Sequence, residues 1–78
     1  MDIENNIKNI FFDLFNLDHK ISIKELNVEK VEAWDSLNHL NLIIAIENKF
    51  DINIPPDDFP KLYKDFETLS KYIDIRLK

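Results

Sequence analysis

The chain contains no glycine in its 78 residues, and that absence narrows the folds open to it. Two-residue β-hairpins lean on glycine for positive φ, and so do helix C-caps, so other residues must take such positions. Asn and Asp are abundant and are the next most tolerant residues there. Helices joined by Asn- and Asp-rich connections suit this composition better than a sheet. The length allows a single small domain, residues 1–78, whose thin core must use nearly every apolar side chain.

Hydrophobic periodicity agrees. Ile3, Ile7, Ile10, Phe11 and Leu14 recur at steps of three and four, the stripe of an amphipathic helix. Asn16 is placed to end it in the left-handed conformation, and Phe12 lies off the stripe, over the following loop. Residues 17–34 have weaker periodicity and read as a long ordered connection pinned by its apolar residues, with one short turn around Ser22 to Leu26. A second helix begins at Asp35 or Ser36, both good N-cap residues, and runs to about Phe50. Leu37, Leu40, Leu42, Ile43, Ile44, Ile46 and Phe50 fill most of its wheel. Asn38, Asn41, Ala45, Asn48 and Lys49 leave only a narrow polar strip for solvent, so this is the central helix. Pro55 and Pro56 then stop the backbone. A short helix around Asp57 to Lys64 buries Phe59, Leu62 and Tyr63, with Pro60 in its first turn. A last helix starts at Asp65 as N-cap, with Thr68 three residues on, and carries Leu69, Tyr72, Ile73 and Leu77 inward. The expected fold is all-α, a small four-helix bundle of three main helices and one short one, with a long loop between the first two.

Charge and composition exclude several function classes. With 15 acids against 10 bases the net charge is −5, and no Lys/Arg cluster offers a nucleic-acid face. The acidic balance suits solubility and partners with basic surfaces alike. There is no cysteine for a disulfide or thiolate site. The longest apolar run, Leu42 to Ile46, is far too short to span a bilayer, and the acidic start Met1-Asp2-Ile3-Glu4 lacks the character of a secretory signal, so the expected location is the cytosol. Ser36, His39 and Asp35 invite a catalytic-triad reading, but they crowd one helix turn and no Gly-x-Ser-x-Gly elbow exists. His19 and His39 do not form a metal-ligand pattern. No catalytic or metal-ligating residue is assigned, and the chain is expected not to be an enzyme.

The run Trp34-Asp35-Ser36-Leu37-Asn38-His39-Leu40 resembles the Asp-Ser-Leu signature of acyl carrier proteins. The similarity extends along the chain: a helix and a long loop before the motif, then an apolar helix ending Glu47-Asn48-Lys49-Phe50. Ile52-Asn53-Ile54-Pro55, a short helix, and Tyr72-Ile73 near the end follow in the family's order. The resemblance implies that Ser36 accepts a covalent 4′-phosphopantetheine arm from coenzyme A through a phosphodiester. The arm, not the protein, then supplies a thiol that holds the cargo as a thioester. It further implies a monomer whose partners are a phosphopantetheinyl transferase and acyl- or aminoacyl-loading and acyl-transfer enzymes. A serine at a helix start is exposed, and a phosphodiester there meets the positive end of the helix dipole. Asp35 repels that phosphate but can help a transferase that brings a divalent metal.

The docking face implied is Asp35, Leu37, Asn38, Asn41, Ala45 and Asn48, with Leu37 suited either to a partner pocket or to the core. Candidate acyl-pocket residues are Leu40, Ile44, Ile54, Phe59 and Leu62, which serve equally as core. Fatty-acid-synthesis carriers usually bear several carboxylates along this helix; here Glu47 is its only acid. Trp34 stands where those carriers tend to have a small residue, and its expected role is to anchor the long loop. Both departures point to a discrete carrier of a specialised pathway rather than to housekeeping fatty-acid synthesis. A helical interaction module that carries nothing is the alternative of another class.

Overall fold

The computed structural model describes residues 3–18 and 20–77, so His19 lies outside the described residues. Among the described residues four α-helices follow one another: α1 (Ile3–Phe15), α2 (Ser36–Phe50), α3 (Phe59–Leu62) and α4 (Phe66–Arg76). Short 3-10 turns lie at Ile23–Glu25 and Pro56–Asp58. Among the described residues there is no strand, only one isolated antiparallel bridge between Asn27 and Asp65. The all-α bundle expected from the sequence is the one observed.

Positive φ is handled without glycine as expected. Asn16 after α1 (φ 52°) and Asp51 after α2 (φ 54°) both adopt the left-handed conformation that ends a helix. The Asp51 N–H returns to the Glu47 carbonyl, closing the last turn of α2. At the other ends, Asp35 caps α2 through Asn38 N–H (2.9 Å) and Asp65 caps α4 through Thr68 N–H (2.7 Å).

One apolar core joins the helices. It takes Ile7, Phe11, Phe12 and Phe15 from α1, Leu42, Ile43, Ile46 and Phe50 from α2, and Leu62, Phe66, Leu69 and Ile73 from α3 and α4. The buried face of α1 is therefore centred on Phe11 and includes Phe12 and Phe15, while Ile3, Ile10 and Leu14 sit at its margin. Leu77 does not reach the core: α4 ends at Arg76, and Leu77 forms the C-cap at 37% exposure.

The long connection is fastened at both sides. Leu26, Val31 and Trp34 reach the core. Its backbone pairs with the start of α4 through Val28 N–H to Lys64 O (2.9 Å) and Phe66 N–H to Leu26 O (2.8 Å). Trp34, only 1% exposed, packs edge-on against Phe11 at 5.0 Å and stacks on Phe15 at 5.9 Å. Such aromatic pairs contribute about 0.5–1.5 kcal/mol each beyond burial. Trp34 thus anchors the loop, and its burial removes it from any surface.

Candidate functional site

The start of α2 sits where the anchored connection turns into a helix. Asp35 is extended and its carbonyl accepts the first bond of the helix, from His39 N–H at 2.8 Å. Its carboxylate takes the Asn38 N–H, and its own N–H goes to Ala33 O (3.0 Å). The N–H groups of Ser36 and Leu37 precede the helical ladder, and among the described residues nothing accepts from them. Ser36 itself is exposed. The arrangement offers a hydroxyl on a rigid support, with two backbone donors and the positive end of the α2 dipole beside it.

The outward face of α2 differs from the expected polar strip. The buried arc is His39, Leu42, Ile43, Ile46 and Phe50, which leaves Leu37 (70% exposed), Ile44 (53%) and Leu40 (45%) in solvent with Asn41 and Asn48. The apolar arc read from the sequence was wider than the neighbours that cover it. The four-residue α3 is too short to shield that flank of a helix of fifteen. Two residues assigned to the docking strip are partly withdrawn. Asn38 is half-buried and donates to Ala33 O (2.7 Å), and Ala45 lies toward α1 beside Ile10, Asp13 and Leu14. Glu47, the only acid of the helix, turns back to accept from Ile54 N–H at 2.9 Å. The exposed face formed by Leu37, Leu40, Asn41, Ile44 and Asn48 therefore bears no charge.

The five residues considered for an acyl pocket differ in burial. Ile54 and Leu62 are core residues, Phe59 is half-buried, and Leu40 and Ile44 face solvent.

His39 had no role assigned from the sequence and is the buried polar residue of the site, 5% exposed. Trp34 Nε1 lies 3.0 Å from its Nδ1, and Phe59 O lies 2.7 Å from its Nε2. Tyr63 lies tilted beside the imidazole at 5.0 Å and donates its hydroxyl to Trp34 O (3.1 Å). Burial pushes the imidazole below the usual histidine range, partly opposed by the Phe59 carbonyl. With both ring nitrogens engaged away from Ser36, the triad reading has no base to offer. The available signal was positional: on the helical wheel His39 falls within the arc of Leu42, Ile43 and Ile46. Among the described residues, no group of three acids or histidines is placed to hold a metal. No helix there is long and apolar enough to cross a membrane.

No family model matches the chain. Curated relatives do. An acyl carrier protein of Campylobacter lari is 31% identical over 74 residues, covering 95% of this chain and 95% of its own length. Two acyl carrier proteins of Campylobacter jejuni, from strains RM1221 and 81-176, are 33% and 32% identical over 69 residues, covering 88% of each chain. An all-α bundle, an exposed Asp-Ser-Leu helix start and likeness along almost the whole chain converge: this chain belongs to the acyl carrier protein family.

Proposed function

We propose that the chain holds an acyl or aminoacyl group on a 4′-phosphopantetheine arm attached to Ser36 and delivers it to partner enzymes of a specialised pathway in the cytosol. The observation that carries this reading is the exposed Ser36 hydroxyl at the first position of α2, with the Ser36 and Leu37 N–H groups left over beside it. The site fits a phosphodiester, since open backbone donors at a helix N-terminus favour an anion. When bound, the arm supplies the thiol that this cysteine-free chain lacks. In loading, Ser36 Oγ forms a bond to the phosphorus of the arm and the pyrophosphate bond of coenzyme A breaks. Adenosine 3′,5′-bisphosphate leaves, and the serine proton passes to a base on the transferase. The chain itself contributes position rather than catalysis.

The specialised reading rests on the outward face of α2. Carboxylates there would steer a carrier toward basic enzyme patches, whereas Leu37, Leu40, Asn41, Ile44 and Asn48 offer none. Housekeeping fatty-acid synthesis is the second reading, favoured by the plain name of the curated relatives. Intact mass after incubation with coenzyme A and a phosphopantetheinyl transferase tests the carrier role. One added arm is expected, absent in Ser36→Ala, and a mass that never shifts under several transferases leaves only a non-carrying module. Efficient turnover by fatty-acid elongation enzymes would overturn the specialised assignment.

A further inference from the structure

The two bonds of His39 determine its protonation state. An indole N–H is a donor and nothing else, so Trp34 Nε1 at 3.0 Å requires a lone pair on Nδ1. The single proton of the neutral ring then sits on Nε2 and is donated to Phe59 O at 2.7 Å. The other neutral tautomer sets donor against donor at Trp34 and acceptor against acceptor at Phe59. The imidazolium keeps the Phe59 bond but turns an Nδ1–H onto the Trp34 N–H. Only one of the three forms satisfies this buried site.

Those two bonds join three separate segments within one turn of Ser36. Trp34 ends the long connection, His39 lies in the first turns of α2, and Phe59 opens α3. Tyr63 closes the same ring of contacts from the other end of α3 by donating to Trp34 O. Because α3 has only four residues, it has little helical ladder of its own, and its position depends on such ties and on buried Leu62.

We propose that His39 is a positioning residue for Ser36: its neutral imidazole clasps the long connection, the start of α2 and α3 into one presenting surface, and proton uptake opens that clasp. This rests on the carrier reading of Ser36. The ionisable groups around the ring do not take over its role. On its own helix, Asp35 spends a carboxylate oxygen on Asn38 N–H. On the α3 side, Tyr63 has its hydroxyl on Trp34 O, and Asp58 is held by Tyr72 (2.6 Å) and Lys61 (3.3 Å). On its far side Trp34 packs against the apolar rings of Phe11 and Phe15. The sign follows from burial. The closed form holds the imidazole below its ordinary value of 6.5, so the opened form binds more protons as pH falls. The clasp is complete above that value and is lost as pH drops through the lower, closed-state value.

His39→Gln tests the idea, because a side-chain amide offers an acceptor to Trp34 and a donor to Phe59 but does not titrate. His39→Leu offers neither. Trp34 is the only tryptophan, so its emission reports the clasp in the unloaded protein. Loading by a phosphopantetheinyl transferase is then measured at about pH 7.5 and about pH 4.5, the second about two units under the ordinary histidine value so that the lower closed-state value is passed as well. Taking the ratio of wild type to His39→Gln at each pH cancels the enzyme's own profile. The wild type should show an acid titration of Trp34 emission and, at the lower pH, a KM about threefold or more above that of His39→Gln, with kcat unchanged. His39→Gln should be flat in emission, and His39→Leu should show the raised KM at both pH values. Equal KM ratios at the two pH values with a flat wild-type emission would overturn the clasp while leaving Ser36 a loading site. Absence of any loading, in every variant and at both pH values, would instead sink the carrier reading and with it this role of His39.

Discussion

The starts of α2 and α4 use the same cap and put it to opposite ends. In each an Asp in the extended conformation accepts from the backbone N–H three residues on, Asp35 from Asn38 and Asp65 from Thr68. The first helical residue then differs. After Asp65 comes Phe66, 1% exposed, packed edge-on against Phe11 at 5.5 Å, its N–H taken by Leu26 O. After Asp35 comes Ser36, exposed, with its N–H open, followed by Leu37 at 70% exposure. The α4 start is closed by a backbone bridge to the long connection. The α2 start has no such cover, and its support comes from beneath, through Trp34 and His39. A cap alone does not distinguish a helix start built into the core from one that presents its first side chain to solvent; the fate of the next residue does.

Substitutions at matched positions can break or sharpen this contrast. The largest effect is expected for Phe66→Ala, about 3–5 kcal/mol lost in urea unfolding, because a large fully buried ring leaves a cavity. Leu37→Ala should stay within about 0.5 kcal/mol by the same measure, yet raise KM for partner enzymes. A comparable stability loss at both residues would erase the distinction. Next in size, Asp65→Ala should cost about 1–2 kcal/mol and Asp35→Ala about 1 kcal/mol or less, the difference reflecting the covered setting of Asp65.

The Asp65 contribution is also pH-dependent. Burial alone would raise its carboxyl, but the Thr68 hydroxyl and N–H, with Lys64 and Lys71, outweigh that and hold it below the ordinary value of 3.8. Its stabilisation is therefore present above that value and lost as pH falls through the lower folded one. Asp65→Asn should flatten the acid limb of the stability curve; an unchanged limb would mean that other carboxylates set it. A small effect is also expected at the opposite end of α2. Asp51→Gly should shift stability by no more than about 1 kcal/mol, since relief of the left-handed strain is offset by added freedom of the unfolded chain.

Local chemistry made much of this legible in advance. Both caps, the 3-10 turn at Ile23–Glu25, the left-handed Asn16 and the bounds of α2 follow from residues within a few positions of one another. The orientation of α2 did not. Leu37, Leu40 and Ile44 are as apolar as Leu42, Ile43 and Ile46, and only the extent of the neighbouring elements decides which arc is covered. Phe66 was likewise hidden, because its burial depends on α1 and on the long connection folding over it. Sequence proximity offers His39 only as a poorly placed base beside Ser36. Its actual partners lie at Trp34 and at Phe59, twenty residues away, and no spacing rule announces that pairing.

The two left-handed residues, Asn16 and Asp51, carry a consequence for the molecule before it folds. Each gives up a little native-state comfort that a glycine would have supplied. In exchange no position of the chain has glycine's wide backbone freedom, so the denatured ensemble is narrower and less entropy is lost on ordering it. For a domain whose core is thin and whose central helix leaves three aliphatic side chains in water, part of the stability resides in the state that is never seen folded.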